Sequence, residues 1–203
     1  PLSGFRILSA EQYGAGPYGT MFLAQLGADV IKIEPPATDT SSGGDTARAV
    51  GPHFLRKGES LYFQAFNLNK RSLTLDLRTD EGQEIFHALV ARSHAVANNM
   101  RGDLPGALGL TYDALKQVNP AIVCAHLSAY GRDNERARWP GYDYLMQAEA
   151  GFMELTGEPD GPPSRFGLSM VDFMTGTMMS IGLLAALVDA QRTGEGRDVD
   201  VDL

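Results

Sequence analysis

The sequence predicts an α/β fold: a Rossmann-like, doubly wound, mainly parallel sheet with flanking helices. Two observations predict it. Short apolar or β-branched runs recur along the chain, and most are followed by a stretch with helical spacing. The first two runs lie so close together that only one helix fits between them, which makes a βαβ unit with a right-handed crossover. No internal repeat or low-complexity tract interrupts the alternation.

Phe5-Arg6-Ile7-Leu8 is the first strand, and it opens into Gly14-Ala15-Gly16-Pro17-Tyr18-Gly19. Residues 20–26 have helical spacing and stop at Gly27; residues 30–34 alternate as the second strand, closed by Pro35-Pro36. Residues 37–58 form a loop rich in Thr, Ser, Gly and Asp, longer than ordinary connections and therefore functional or mobile. Residues 72–77 alternate strictly as a half-buried strand. Thr79-Asp80-Glu81-Gly82 starts a helix through Ile85, Leu89 and Val90, and residues 95–97 are a short strand ending in Asn98-Asn99-Met100-Arg101. A helix over 112–118 is stopped by Asn119-Pro120, and 121–128 is the next strand. Beyond Trp139, residues 142–151 read as helix, 157–163 as turns and 171–191 as a long Met-rich helix. Residues 197–203 alternate as a strand with no turn or cap after them. The chain is therefore expected to be the first part of a larger domain.

Composition narrows the function. The 203 residues are 43% hydrophobic and 21% charged, an ordinary globular mix that excludes a disordered or fibrous chain. Lys and Arg number 17 against 25 Asp and Glu, a net charge of -8, so no nucleic-acid partner is expected. The single cysteine, Cys124, has no internal partner, and the four histidines share no ligand spacing, so no metal is expected. A cytoplasmic location follows from that cysteine usage and from an N-terminus that is no signal peptide. The apolar run 178–188 is too short to span a bilayer, and no membrane association is expected.

Three places could carry chemistry. Gly14, Gly16 and Gly19 fit the spacing G-x-G-x-x-G, with Glu34 as the acidic residue about 20 positions on. The glycines are either a dinucleotide fingerprint, which Pro17 suits badly, or a tight strand-to-helix turn. Asp172 stands among apolar neighbours at a helix start, with no further charge until Asp189. It is either a helix cap or a nucleophilic carboxylate beside the small Gly176. Lys70 and Arg71 precede one strand, and Arg101 follows another, where a doubly wound sheet places its ligands. Each cluster is a binding site or a solvated loop.

Several stretches together resemble the class III CoA-transferase family, which contains formyl-CoA transferase and, with different chemistry, α-methylacyl-CoA racemase. They are Leu2 to Leu8, Ala15-Gly16-Pro17, Leu26 to Pro35, Phe66 to Leu73, Asn99-Met100-Arg101, Asn119-Pro120, Pro140-Gly141-Tyr142-Asp143, Asp172 to Gly176, Leu183 to Leu187 and Arg192 to Gly196. They run in family order over the whole chain. The resemblance implies that residues 1–203 are the N-terminal part of the large domain, with its remainder and a small domain beyond Leu203. It implies an interlocked homodimer with no permanently bound cofactor, and with coenzyme A and acyl-CoA as substrates.

By the same resemblance, Asp172 is the catalytic aspartate of a CoA-transferase, forming an aspartyl anhydride and then an aspartyl-CoA thioester. Tyr142, Arg101, Asn99, Gly14, Ala15, Lys70 and Arg71 are implied as substrate or CoA contacts. The acceptor is a small carboxylic acid; Arg48, Arg101, Arg138 and Arg165 suit a dicarboxylate. The racemases carry a histidine where this chain has Tyr142, whose ordinary pKa of ~10 suits proton exchange poorly. An acyl-CoA racemase and a non-catalytic CoA-binding subunit are the alternatives. The chain departs from formyl-CoA transferases at Gly14, where they carry glutamine, and has Gly102-Asp103 after Arg101 in place of the family's Pro-Gly. A basic residue often found downstream is Ala107 here.

Overall fold

The computed structural model describes residues 1–203. Six parallel strands form the sheet: β1 (Arg6–Ala10), β2 (Asp29–Glu34), β5 (Arg71–Thr74), β6 (Ala95–Asn98), β7 (Val123–Ser128) and β8 (Arg197–Asp202). Their order is β5-β2-β1-β6-β7-β8. This is a doubly wound sheet, and the winding reverses between β1 and β6. The predicted fold class is correct.

The two faces of the sheet bury different residues, as the strand period of two requires. On one face, Ile7, Val30, Ala95, Ala97, Val123 and Ala125 pack with Leu23 of α1 (Ala15–Gln25) and with Met179 and Leu183 of α7 (Met170–Thr193). On the other, Leu8, Ile31, Ile33, Val96 and Cys124 pack against Phe86 and Val90 of α3 (Asp80–Val90). Thr79 starts α3 by accepting a hydrogen bond from Gly82 N.

Several sequence expectations need correction. Residues 37–58 are not all loop: a 3-10 turn (Thr46–Ala49) and the strand β3 (Phe54–Arg56) lie there, and β3 pairs antiparallel with β4 (Glu59–Ser60). Ser60 then caps α2 (Leu61–Phe66). The strand expected over 72–77 stops at Thr74, and the helix expected over 112–118 is only the single turn α5 (Tyr112–Leu115), which follows the equally short α4 (Leu104–Ala107). The helix expected over 142–151 is the shorter α6 (Asp143–Glu149). The run thought too short for a bilayer belongs to the 24-residue α7, which is long and apolar enough to cross one. In the fold one side of α7 packs on the sheet and α1, while Met174, Met178, Ile181 and Val188 are exposed along the other.

Candidate active site

A doubly wound sheet offers its ligand crevice beyond the carboxyl ends of the strands, where the winding reverses. Here that place is a cleft of about 280 Å³ lined by Glu11, Gln12, Leu75, Arg78, Asn99 and Leu104, among others. Asn99 is tied to the segment after β1. Its Oδ1 accepts from Gln12 N at 2.8 Å and its Nδ2 donates to Gln12 O at 2.7 Å. Arg101 follows, partly exposed and paired with Asp103 at 3.1 Å.

Asp172 does not line this cleft; it faces Gly14, which the backbone of residues 11–13 joins to the cleft wall. It occupies the first turn of α7, yet its carboxylate makes no hydrogen bond, so it does not cap the helix. That work falls to Asp143 at the start of α6. Asp143 Oδ2 accepts from Val171 N at 2.8 Å and from Asp172 N at 3.1 Å. Gln147 steadies Asp143 by donating from Nε2 to its Oδ1, and accepts from Phe166 N at 3.0 Å.

The Asp172 carboxylate is therefore free and half-sheltered. A Cβ placed on Gly14 would lie 2.8 Å from Asp172 Oδ2 and 3.5 Å from the Tyr62 hydroxyl, so these two groups face each other across a bare glycine. Tyr13 leans on Tyr62 with ring centroids 5.3 Å apart. Burial, and then the charge of Asp143, raise the Asp172 pKa to about 6. Burial also pushes the Tyr62 hydroxyl well above its ordinary value, with Tyr13 and Asp172 adding to it. A partly desolvated carboxylate of this kind is a better base and nucleophile than a solvated one.

Of the two readings of the glycine motif, the strand-to-helix turn holds for Gly14 alone. Gly14 is the N-cap of α1, and Gly16 and Gly19 lie inside the helix. A side chain at Gly16 would strike Asn99; one at Gly19 or Gly176 would strike the backbone of the opposite helix. Gly19 and Gly176 are where α1 and α7 cross at backbone distance, and this crossing sets Gly14 and Ala15 against the start of α7. Glu34 is no ribose contact, because Arg48, Ser72 and Asp45 N already bind its carboxylate.

The other expected contacts divide. Tyr142 is the N-cap residue of α6, half exposed beside Asp143 and stacked on Tyr144 at 5.9 Å. Lys70 and Arg71 are not brought to the site, which corrects the expectation for both. Lys70 is buried against Glu11 at 2.8 Å, and Arg71 pairs with Asp29 at the amino end of β2. Arg48 grips Glu34 and so is not free for a substrate carboxylate, whereas Arg138 and Arg165 are exposed. Sequence reasoning assigned no role to Asp143, Tyr62, Lys32 or Asp45. Lys32 and Glu34 left a signal, since charges in a central parallel strand, covered on both faces, are out of place.

Comparison with known proteins gives a consistent result. Residues 2–203 match the family model of CoA-transferase family III. The succinate–glutarate CoA-transferase of Agrobacterium fabrum is 39% identical over all of this chain and 51% of its own length. The succinyl-CoA:mesaconate CoA-transferase of Haloarcula hispanica is 39% identical over 98% of this chain and 50% of its own. A crystal structure of a CAIB/BAIF family protein from Brucella suis superposes with a TM-score of 0.90 at 37% identity, covering all of this chain and 53% of that one. The chain spans about half the length of the curated relatives it matches.

Proposed function

The chain belongs to CoA-transferase family III, and from that premise we propose that it serves a transferase moving CoA from an acyl-CoA donor to a small carboxylic acid, with Asp172 as nucleophile. The observation that carries this reading is the free carboxylate. Asp143 caps α7 in its place, burial raises its pKa to about 6, and above that pH it is ionised.

The steps follow from carboxylate chemistry. Asp172 attacks the thioester carbonyl and expels CoA thiolate, leaving a mixed anhydride. The thiolate attacks the aspartyl carbonyl, releasing the donor acid and forming an aspartyl-CoA thioester. The acceptor carboxylate attacks that thioester, giving a second anhydride and thiolate. The thiolate then attacks the acceptor carbonyl, which forms the new acyl-CoA and frees Asp172. Each step exchanges one activated carbonyl for another, so water must be kept out. The shelter of Asp172 between Gly14, Tyr62 and Asp143 supports this.

In this reading the nucleotide end of CoA lies in the cleft at the winding reversal, whose lining includes Arg78 and Asn99, with Arg101 following two residues after Asn99. The thioester arm crosses the segment before Gly14 to reach Asp172, and Tyr142 flanks the acyl group. Arg165 precedes Phe166, which docks on Gln147 behind Asp143, and it is our candidate for the second carboxylate of a dicarboxylic acid. The working form is a homodimer of interlocked chains; the exposed apolar stripe of α7 supports this.

Trapping tests the proposal. Protein incubated with acyl-CoA and then treated with hydroxylamine or borohydride should carry its modification on Asp172, and Asp172→Ala should lose transfer. Full transfer by Asp172→Ala would refute it.

A further inference from the structure

Beneath the loop that faces Asp172 lies a cluster of charges the proposed chemistry does not touch. Lys32 and Lys70, their side chains each 1% exposed, pair with the fully buried Asp45 and Glu11. Lys32 Nζ lies 2.9 Å from Asp45 Oδ2 and donates to Glu11 O at 2.9 Å. Lys70 Nζ donates to Glu11 Oε1 and to Pro17 O, both at 2.8 Å, and Thr20 Oγ1 donates to Glu11 Oε1 at 2.5 Å. Buried ion pairs stabilise a fold no better than apolar packing of similar volume. Two of them under one loop call for another reason.

The reason lies in what they hold. Glu11 O accepts from Lys32, Gln12 N and O are both bound by Asn99, and Tyr13 N donates to Asp45 Oδ1 at 3.0 Å. Tyr13 has φ +68°, a left-handed conformation that is unfavourable for a non-glycine residue and persists only where its surroundings impose it. The next residue is Gly14, which faces Asp172. Asp45 is itself anchored. Its N–H donates to Glu34 Oε2 at 2.7 Å, and its Oδ1 also accepts from Ala47 N at 2.8 Å.

We propose that Asp45 and its partner Lys32 are positioning residues that clamp the backbone of residues 11–13, so that Gly14 and the first turn of α1 stay seated against Asp172. The Lys70–Glu11 pair braces the same segment from the α1 side. The inference rests on the assignment of Asp172 as nucleophile. It also gives the segment after β2 a task, which is to carry Asp45 under the site.

The test compares variants of the full-length protein in CoA transfer and in the rate of Asp172 acylation by acyl-CoA. Asp45→Ala is expected to lower kcat and the acylation rate at least ~10-fold while KM for acyl-CoA stays within about 3-fold, because small misplacements slow chemistry more than binding. Asp45→Asn keeps an acceptor for Tyr13 N and should recover most of that rate. A normal acylation rate per folded molecule in Asp45→Ala would overturn the inference. If Asp45→Ala does not fold, Lys32→Met removes the partner of Asp45 and the donor to Glu11 O, and a normal acylation rate per folded molecule there would overturn it equally. Wild-type protein that forms no adduct on Asp172 would instead refute the nucleophile assignment, and the clamp with it. A normal wild-type adduct with an undiminished variant rate refutes the clamp alone.

Discussion

Asp143 Oδ2 accepts the backbone N–H of Asp172 at 3.1 Å, while the Asp172 carboxylate makes no hydrogen bond at all. One acid holds the helix end so that the other need not. The capping acid also stands close enough to push the free one toward its protonated form.

That pairing sets a pH dependence. Transfer should fall as pH drops through about 6, where Asp172 takes up its proton. Asp143→Asn removes the second of the two causes of the raised pKa and keeps an acceptor for the two amides, so the acid limb of kcat/KM should move to lower pH. Asp143→Ala also loses the cap, with a stability cost of ~1–2 kcal/mol read from thermal melts.

Stability should respond to Asp172 itself, and the sign is fixed. Its folded pKa, about 6, lies above the ordinary 3.8, so the folded state holds the proton more tightly than the unfolded chain does. Ionisation therefore opposes folding. The penalty is absent below about pH 4, grows as pH rises toward 6 and is complete above it. Asp172→Asn should raise the melting temperature at pH 8, by the equivalent of about 2–3 kcal/mol, and leave it unchanged below pH 4.

The helix crossing predicts a sharp contrast among glycines. Gly176→Ala would drive a methyl into the Ala15 carbonyl oxygen, and Gly19→Ala would strike Gly176 O. Each should cost ~1–3 kcal/mol and lower kcat, because the start of α1 must shift relative to Asp172. Gly106→Ala, in α4 with open space where its Cβ would lie, should stabilise by about 0.4–1 kcal/mol in melts and leave the kinetics unchanged.

Arg165 offers a test of acid preference. Arg165→Gln should raise KM for a dicarboxylic acceptor about 10-fold and leave a monocarboxylic one unchanged, as expected for a lost charge-assisted contact. Equal effects on both acids would remove Arg165 from the acceptor site.

The sheet was legible because its strands are short, apolar and separated by clear helix stops; β1, β2, β6, β7 and β8 all lie within a few residues of their expected places. Asp172 was legible as an acid out of place at a helix start. The role of Gly16 and Gly19 was not legible because spacing says where side chains are missing but not which neighbour needs the room. Lys70 was misread for a related reason: a lysine beside polar residues looks solvated until the fold covers it with Glu11 and Pro17. Asp143 could not be found from its own surroundings, since the helix it caps begins 27 residues later.

The seam where α1 meets α7 joins the scaffold to Asp172, with bare backbone on both sides. Alanine substitution, a common route to sturdier helices, is closed at Gly19 and Gly176. Tyr142 and Arg165 lie outside that seam. Under the proposed function, a change of acceptor acid is therefore a change at the rim, while the seam beside Asp172 keeps its glycines.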